Sequence, residues 1–143
     1  IQAKLVNAID TVAVSNKIAL ALPELRCSFG GLAIVPDVAV FKWERVPFTE
    51  AGFVPNDFEI APDWAVEILS PNQSPSKPVR KLAHCLQHGT EVGWLIDPGG
   101  LAVTAFYPNQ IPVVLEDSDK LPTLSGVPLE LTVDDVFGWL RIA

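Results

Sequence analysis

Two acidic residues stand inside apolar runs that are typical of buried β-strands. Asp37 lies in the stretch AIVPDVAVF, and Glu67 lies in the stretch PDWAVEILS. An ionised carboxylate that leaves water without a partner is costly, so each residue requires a compensating group. If the two strands are neighbours in one sheet, the carboxylates meet. A hard divalent cation, Mg²⁺ or Mn²⁺, would then satisfy both of them.

Alternation along the second stretch decides which side chains share a face with Glu67. Side chains of a β-strand point to opposite faces in turn. Asp63, Ala65, Glu67 and Leu69 therefore form one face, and Trp64, Val66, Ile68 and Ser70 form the other. We expect the apolar Trp64 face to pack on a helix, which leaves the Glu67 face for chemistry.

A helix predicted after this strand carries positive charge along one side. Lys77, Lys81, His84 and His88 fall at i, i+4, i+7 and i+11, a continuous stripe. An ammonium group there could offset the acids, orient a water or meet a phosphate. The spacing of His84 and His88 resembles that of a zinc helix, but a glutamate after the first histidine and a third ligand are missing, so we do not favour zinc.

Each of these residues also has a purely structural interpretation. Asp37 follows Pro36 and could form a turn at a strand start, which by sequence alone is the better interpretation. Glu67 could form a buried ion pair with Lys81 or Arg80, although a mid-strand acid favours function. Lys81 alone is typical of a solvated helix surface, so its functional interpretation depends on Glu67 lying near it.

The elements that must position these residues alternate between helices and strands. Hydrophobic spacing predicts a helix over residues 1–16, and strands surround a Gly30-Gly31 turn. A second helix ends near Gly89, and the DPGG turn joins two strands, Val92–Asp97 and Leu101–Tyr107. A short helix with Thr132 as its cap closes the chain. This order predicts an α/β or α+β fold with a mixed β-sheet flanked by helices.

Composition limits the classes of function. The 143 residues are 49% hydrophobic and 19% charged, which predicts one folded domain over 1–143. No apolar run reaches the roughly 18 residues of a membrane span. The net charge of −7 means that any nucleic-acid role must rest on a local positive patch.

Cys27 and Cys85 make no disulfide framework, and two buried free thiols suit a cytoplasmic protein. The chain begins at Ile1 without Met, which allows a natural N-terminus upstream.

Four ordered motifs resemble a known family. VPDVAVF, then APDWAVEILSP, then a lysine-bearing helix ending in HG, then EVGWLIDP are similar to the Uma-type putative restriction endonuclease family of the PD-(D/E)XK nuclease superfamily. The resemblance runs from about residue 32 to the closing LTVDDVFGWL, most of the chain. It implies a restriction-endonuclease-like fold, a Mg²⁺-dependent endonuclease activity on DNA and a possible homodimer.

The resemblance also implies a role for individual residues. Asp37 and Glu67 match the family's metal-binding acids, and the backbone carbonyl of Ile68 would complete the protein's metal ligands. The superfamily usually places a lysine two positions after the second acid, where this chain has Leu69. Lys81 matches a lysine that the family carries on the following helix. An acidic residue around the first helix, which family members tend to have, is not identified in this sequence.

Two other classes of function stay open at this point. A nuclease-fold module that binds nucleic acid or a protein partner without cutting would explain Leu69, the acidic net charge and the missing acid. A solute-binding or structural domain would instead predict a sizeable apolar pocket away from Glu67.

Overall fold

The computed structural model describes residues 1–141, which form three helices and nine strands. The helices are α1 (Gln2–Ala13), α2 (Ser76–Leu86) and α3 (Val133–Gly138), and a 3₁₀ turn covers Trp43–Arg45. The strands are β1 (Ala19–Pro23), β2 (Arg26–Phe29), β3 (Leu32–Ile34), β4 (Val38–Lys42), β5 (Asp57–Phe58), β6 (Trp64–Ile68), β7 (Val92–Asp97), β8 (Ala102–Phe106) and β9 (Val113–Glu116).

Six strands form the main sheet, in the order β1-β4-β6-β7-β8-β9. The central pair β6–β7 is parallel and the other neighbours are antiparallel. A parallel pair needs a crossover connection, and α2 provides it between β6 and β7. The predicted mixed sheet flanked by helices is therefore confirmed.

The two faces of the main sheet are covered by different elements. Leu5 and Ile9 of α1 and Val136 of α3 pack with Trp64 and Val66 of β6 in the larger core. This is the helix packing that alternation along β6 predicts for its Trp64 face.

The opposite face carries α2 and a second, three-stranded sheet in the order β3-β2-β5. Leu82 and Cys85 of α2 pack against Ala65 of β6. Phe41 of β4 packs with the fully buried Phe58 of β5. The long segment 44–62 is therefore anchored to the core near its C-terminal end.

Pro36 and Asp37 separate two strands that belong to different sheets. β3 ends at Ile34 and β4 begins at Val38. Proline has no N–H to give to a ladder, so the chain changes sheet there and Asp37 lies just outside β4.

Most predicted elements are present, with shifted ends. The first helix ends at Ala13, three residues before the end of the predicted range 1–16. The N-cap residue of α2 is Pro75, which makes no side-chain hydrogen bond. Thr132 caps α3 as predicted, in a capping box with Asp135. No helix within residues 1–141 has the length and apolar character to cross a membrane.

Candidate active site

The register of β4 and β6 brings the two acids of the apolar runs together. The last paired residues are Val38 and Val66, so one step further places Asp37 opposite Glu67. The backbone N–H of Asp37 donates to Glu67 Oε2 over 2.9 Å. The backbone N–H of Ile68 donates to Asp37 Oδ2 over 2.7 Å. Each carboxylate is therefore fixed by the backbone of the other acid's strand.

Lys81 reaches this pair from α2. Its Nζ lies 2.9 Å from Glu67 Oε1 and donates to the Val35 carbonyl over 3.1 Å. Within residues 1–141 these two contacts engage two of the three N–H groups of the ammonium. The structure thus brings Asp37, Glu67 and Lys81 together at one end of the main sheet, with one N–H of Lys81 left over for a further partner.

Burial dominates the electrostatics of Glu67. Its side chain is 3% exposed, and loss of solvation raises its pKa above the ordinary value of 4.5. The Lys81 ammonium and the Asp37 N–H oppose this rise in pKa, whereas the negative charge of Asp37 adds to it. Two carboxylates face one ammonium here, so a proton or a second cation is favourable at this site.

Leu69 occupies the position where the wider superfamily usually has a lysine. It packs against the cluster that joins β6 to α2, beside Ala65 and Leu82. The position therefore faces α2, on the same side of β6 as Glu67. Lys81 brings its ammonium to the Glu67 carboxylate from α2. A lysine at position 69 would instead approach that carboxylate from β6.

An open cleft of about 350 Å³ borders the acids on the side of α1. Asp37, Ile68 and Leu69 line it from the sheet, and Gln2 lines it from the first turn of α1. The Gln2 side-chain amide donates to the Asp37 carbonyl over 2.7 Å. We call this space the Asp37 cleft, because that carboxylate is the acidic group on its wall.

Gln2 is a site residue that no sequence pattern identified. The family resemblance implies an acid around the first helix, but α1 has one acid, Asp10. Asp10 accepts a hydrogen bond from the Ala21 N–H over 2.9 Å and so belongs to the contact with β1. A neutral amide therefore stands at the α1 side of the cleft.

The donor set fits a hard divalent ion that retains much of its hydration. No cluster of three or more His, Cys, Asp or Glu side chains occurs in the part of the chain that the structure describes. Mg²⁺ is commonly held by one or two carboxylates, with waters and substrate phosphates filling its other positions. Asp37 Oδ1 accepts no hydrogen bond from any residue of 1–141, and Ile68 lies on the cleft wall. These residues suit Mg²⁺ or Mn²⁺ better than a closed zinc or calcium cage.

The two histidines of α2 have structural partners. His84 is buried and stacks on Phe29, with ring centroids 4.6 Å apart, and its Nε2–H donates to the Phe29 carbonyl over 2.9 Å. His88 donates from Nδ1 to the His84 carbonyl over 2.8 Å. His84 therefore leaves the predicted exposed stripe, and the pair ties α2 to β2.

Other titratable residues singled out in the sequence lie outside the site. Burial raises the pKa of Cys27 and of Cys85 to about 12, so both are buried neutral thiols. Asp97 Oδ1 accepts from the Gly100 N–H in the hairpin turn. Asp63, on the same face of β6 as Glu67, pairs with Arg45 at 2.8 Å.

Comparison with known proteins identifies the family and the fold of this chain. Residues 1–135 match the Uma2 family model, described as "Putative restriction endonuclease". A crystallised protein of Anabaena variabilis, described as a "putative nuclease belonging to DUF820", is 44% identical, with a TM-score of 0.93 over 98% of this chain and 79% of that one. No curated protein matches the sequence. The chain belongs to the Uma2 family, which confirms the resemblance and the nuclease fold. The roles of Asp37, Glu67, Ile68 and Lys81 stay predictions.

Proposed function

We propose that this protein is a divalent-metal-dependent endonuclease that hydrolyses phosphodiester bonds in DNA. The observation that carries the proposal is the contact of Lys81 with Glu67, and of Glu67 with Asp37, at the end of the sheet. Membership of a family described as "Putative restriction endonuclease" supports the reaction class. The cytoplasmic location and the homodimer expected from sequence belong to this proposal as predictions.

Asp37 and Glu67 would hold the ion, with the Ile68 carbonyl as a backbone ligand. A bound Mg²⁺ or Mn²⁺ supplies charge stabilisation at the phosphate and lowers the pKa of a water. Asp37 lines the open cleft, while Glu67 is almost fully buried. Asp37 therefore faces the side from which a phosphate could enter, and Glu67 would hold the ion from within the protein.

Lys81 would act on the phosphate or on the attacking water. Its ammonium is held in place by Glu67 Oε1 and the Val35 carbonyl, so little reorganisation is needed to present its remaining N–H. A preorganised cation near developing negative charge lowers the barrier to reaction. The helix thus supplies the cation that the strand, with Leu69, does not.

A second candidate is a nuclease-fold module that binds nucleic acid or protein without cutting it. One observation favours it: the position where the superfamily usually has a lysine holds Leu69, a half-buried leucine that packs against the cluster of Ala65 and Leu82. Such a module would bind its partner without turnover in Mg²⁺ or Mn²⁺.

Cleavage of DNA by the Glu67→Gln variant tests the proposal. We expect the loss of a metal-binding carboxylate to lower the cleavage rate by about 10²–10³-fold or more. Asp63→Asn is the matched control, since Asp63 is also buried, lies on the same face of β6 and pairs with a cation. The control should cut at the wild-type rate when assayed well below its melting temperature. Equal rates for wild type and Glu67→Gln would exclude Glu67 as a metal ligand, and no cleavage by wild type would favour the second candidate.

A further inference from the structure

A second open space borders the site on the side of α2, and we call it the β3–α2 groove. Its volume is about 400 Å³. One wall is the apolar segment 32–35, in which Leu32 is 57% exposed and Val35 is 42% exposed. The other wall is α2, which contributes Lys77, Arg80, Lys81 and His84.

The charge of the groove is opposite to that of the whole chain. Three of the ten Lys and Arg residues line it, and none of the seventeen Asp and Glu residues does. Across residues 1–141, neither Lys77 nor Arg80 takes part in an ion pair. In a protein of net charge −7, this is a local positive surface of the kind that a polyanion requires.

The groove leads directly to the candidate active site. Lys81 lines the groove and contacts Glu67, and Val35 lines the groove and accepts a hydrogen bond from Lys81. A strand lying in the groove would therefore reach the ammonium that faces the two acids. From Lys77 to Lys81 the helix advances about 6 Å, close to the rise of two nucleotides at about 3.4 Å each.

Contacts between β2 and α2 hold the groove open. Phe29 stacks on His84, and its carbonyl accepts from that ring. The hairpin turn then passes so close to the two histidines that a Cβ on Gly30 would overlap their rings, and Gly30 also has φ +58°. The β2–β3 hairpin is thereby fixed against α2, so the groove needs no rearrangement to accept a ligand.

We propose that the β3–α2 groove binds the substrate strand beside the scissile phosphate. Lys77 and Arg80 would bind backbone phosphates, and Leu32 and Val35 would contact the sugars. The proposal rests on the proposed function for its substrate class. It concerns binding, however, and can be tested without cleavage.

Binding of fluorescently labelled DNA in EDTA, measured by anisotropy over a range of salt concentrations, tests the groove. The variant is Lys77→Gln/Arg80→Gln, in which both changed residues are exposed. We expect at least a tenfold loss of affinity at low salt. The slope of log K against log salt should become shallower by about 1.8 for duplex and about 1.4 for single-stranded DNA, because two phosphate contacts are lost.

The matched control is Lys17→Gln/Lys120→Gln, which removes the same charge from exposed positions elsewhere. Lys17 precedes β1 near the Asp63 end of the main sheet, and Lys120 bridges to Thr132 near α3. The control should keep the wild-type slope. Three results would contradict DNA binding by the groove: an equal loss of affinity in both double variants, no loss in either, or no binding by wild type. Tight binding without cleavage would support the groove as a DNA-binding site and contradict the proposed nuclease activity.

Discussion

The two ends of β6 carry buried carboxylates with closely similar partners. Asp63 and Glu67 lie four residues apart on one face, and their residues are 5% and 3% exposed. Each accepts a backbone N–H from an end of β4, from Lys42 at 2.7 Å and from Asp37 at 2.9 Å. Each also contacts a cation, at 2.8 Å for Arg45 and 2.9 Å for Lys81.

The ends differ in what surrounds these pairs. Near Asp63, the Lys42 ammonium pairs with Glu91 at 2.7 Å, so two cations balance two carboxylates. Near Glu67, the Asp37 carboxylate adds a second negative charge against one ammonium, and the Asp37 cleft opens beside it. The charges at the Asp63 end are balanced, whereas the Glu67 end is short of positive charge and borders an open cleft. The same strand therefore carries a charge-balanced ion pair at one end and, in the function proposed above, the acids that would bind a cation at the other.

Asp63→Asn should have the largest effect on stability. The change leaves Arg45 without its carboxylate at a buried site, although Arg45 itself can turn to solvent. We expect the free energy of unfolding to fall by about 1–3 kcal/mol, measured by urea denaturation at pH 7. Glu67→Gln, the equivalent change at the other end, should leave the free energy of unfolding unchanged or raise it. Equal losses for both variants would mean that the two ends have the same role.

A smaller effect is expected in how the free energy of unfolding of Glu67→Gln, relative to wild type, changes with pH. Burial raises the pKa of Glu67 above 4.5, so between 4.5 and the raised value the native state keeps a proton that the unfolded state has lost. The contribution of Glu67 to the free energy of unfolding of wild type therefore falls as pH rises through this window. Glutamine does not titrate. The free energy of unfolding of Glu67→Gln minus that of wild type should therefore increase from pH 4.5 upward and then level off. A constant or shrinking difference would contradict the raised pKa.

Local rules of the sequence made a meeting of Asp37 and Glu67 possible to foresee, although a turn at a strand start was the better interpretation of Asp37 by sequence alone. Alternation fixes the face of Glu67, and Pro36 ends one strand so that Asp37 stands at the start of the next. Two consecutive apolar strands of one sheet are often neighbours, which brings the acids together. The position of Lys81 followed from the crossover helix after β6.

Other site features depend on tertiary packing that no local pattern encodes. Gln2 contacts Asp37 because of the angle at which α1 crosses the sheet. The burial of His84 requires β2, which belongs to the second sheet, to place Phe29 on its ring. The charge balance at Asp63 depends on a 3₁₀ turn within a segment of weak periodicity, which brings Arg45 back to β6.

Binding of Mn²⁺ to the metal-free protein, measured by calorimetry in the absence of DNA, shows whether Asp37 and Glu67 form a metal site. We expect one ion per chain for wild type and for Asp63→Asn, with at least tenfold weaker binding for Glu67→Gln and for Asp37→Asn. Failure of wild type to bind, or wild-type affinity in Glu67→Gln, would contradict the assignment of this end of β6 as the metal site.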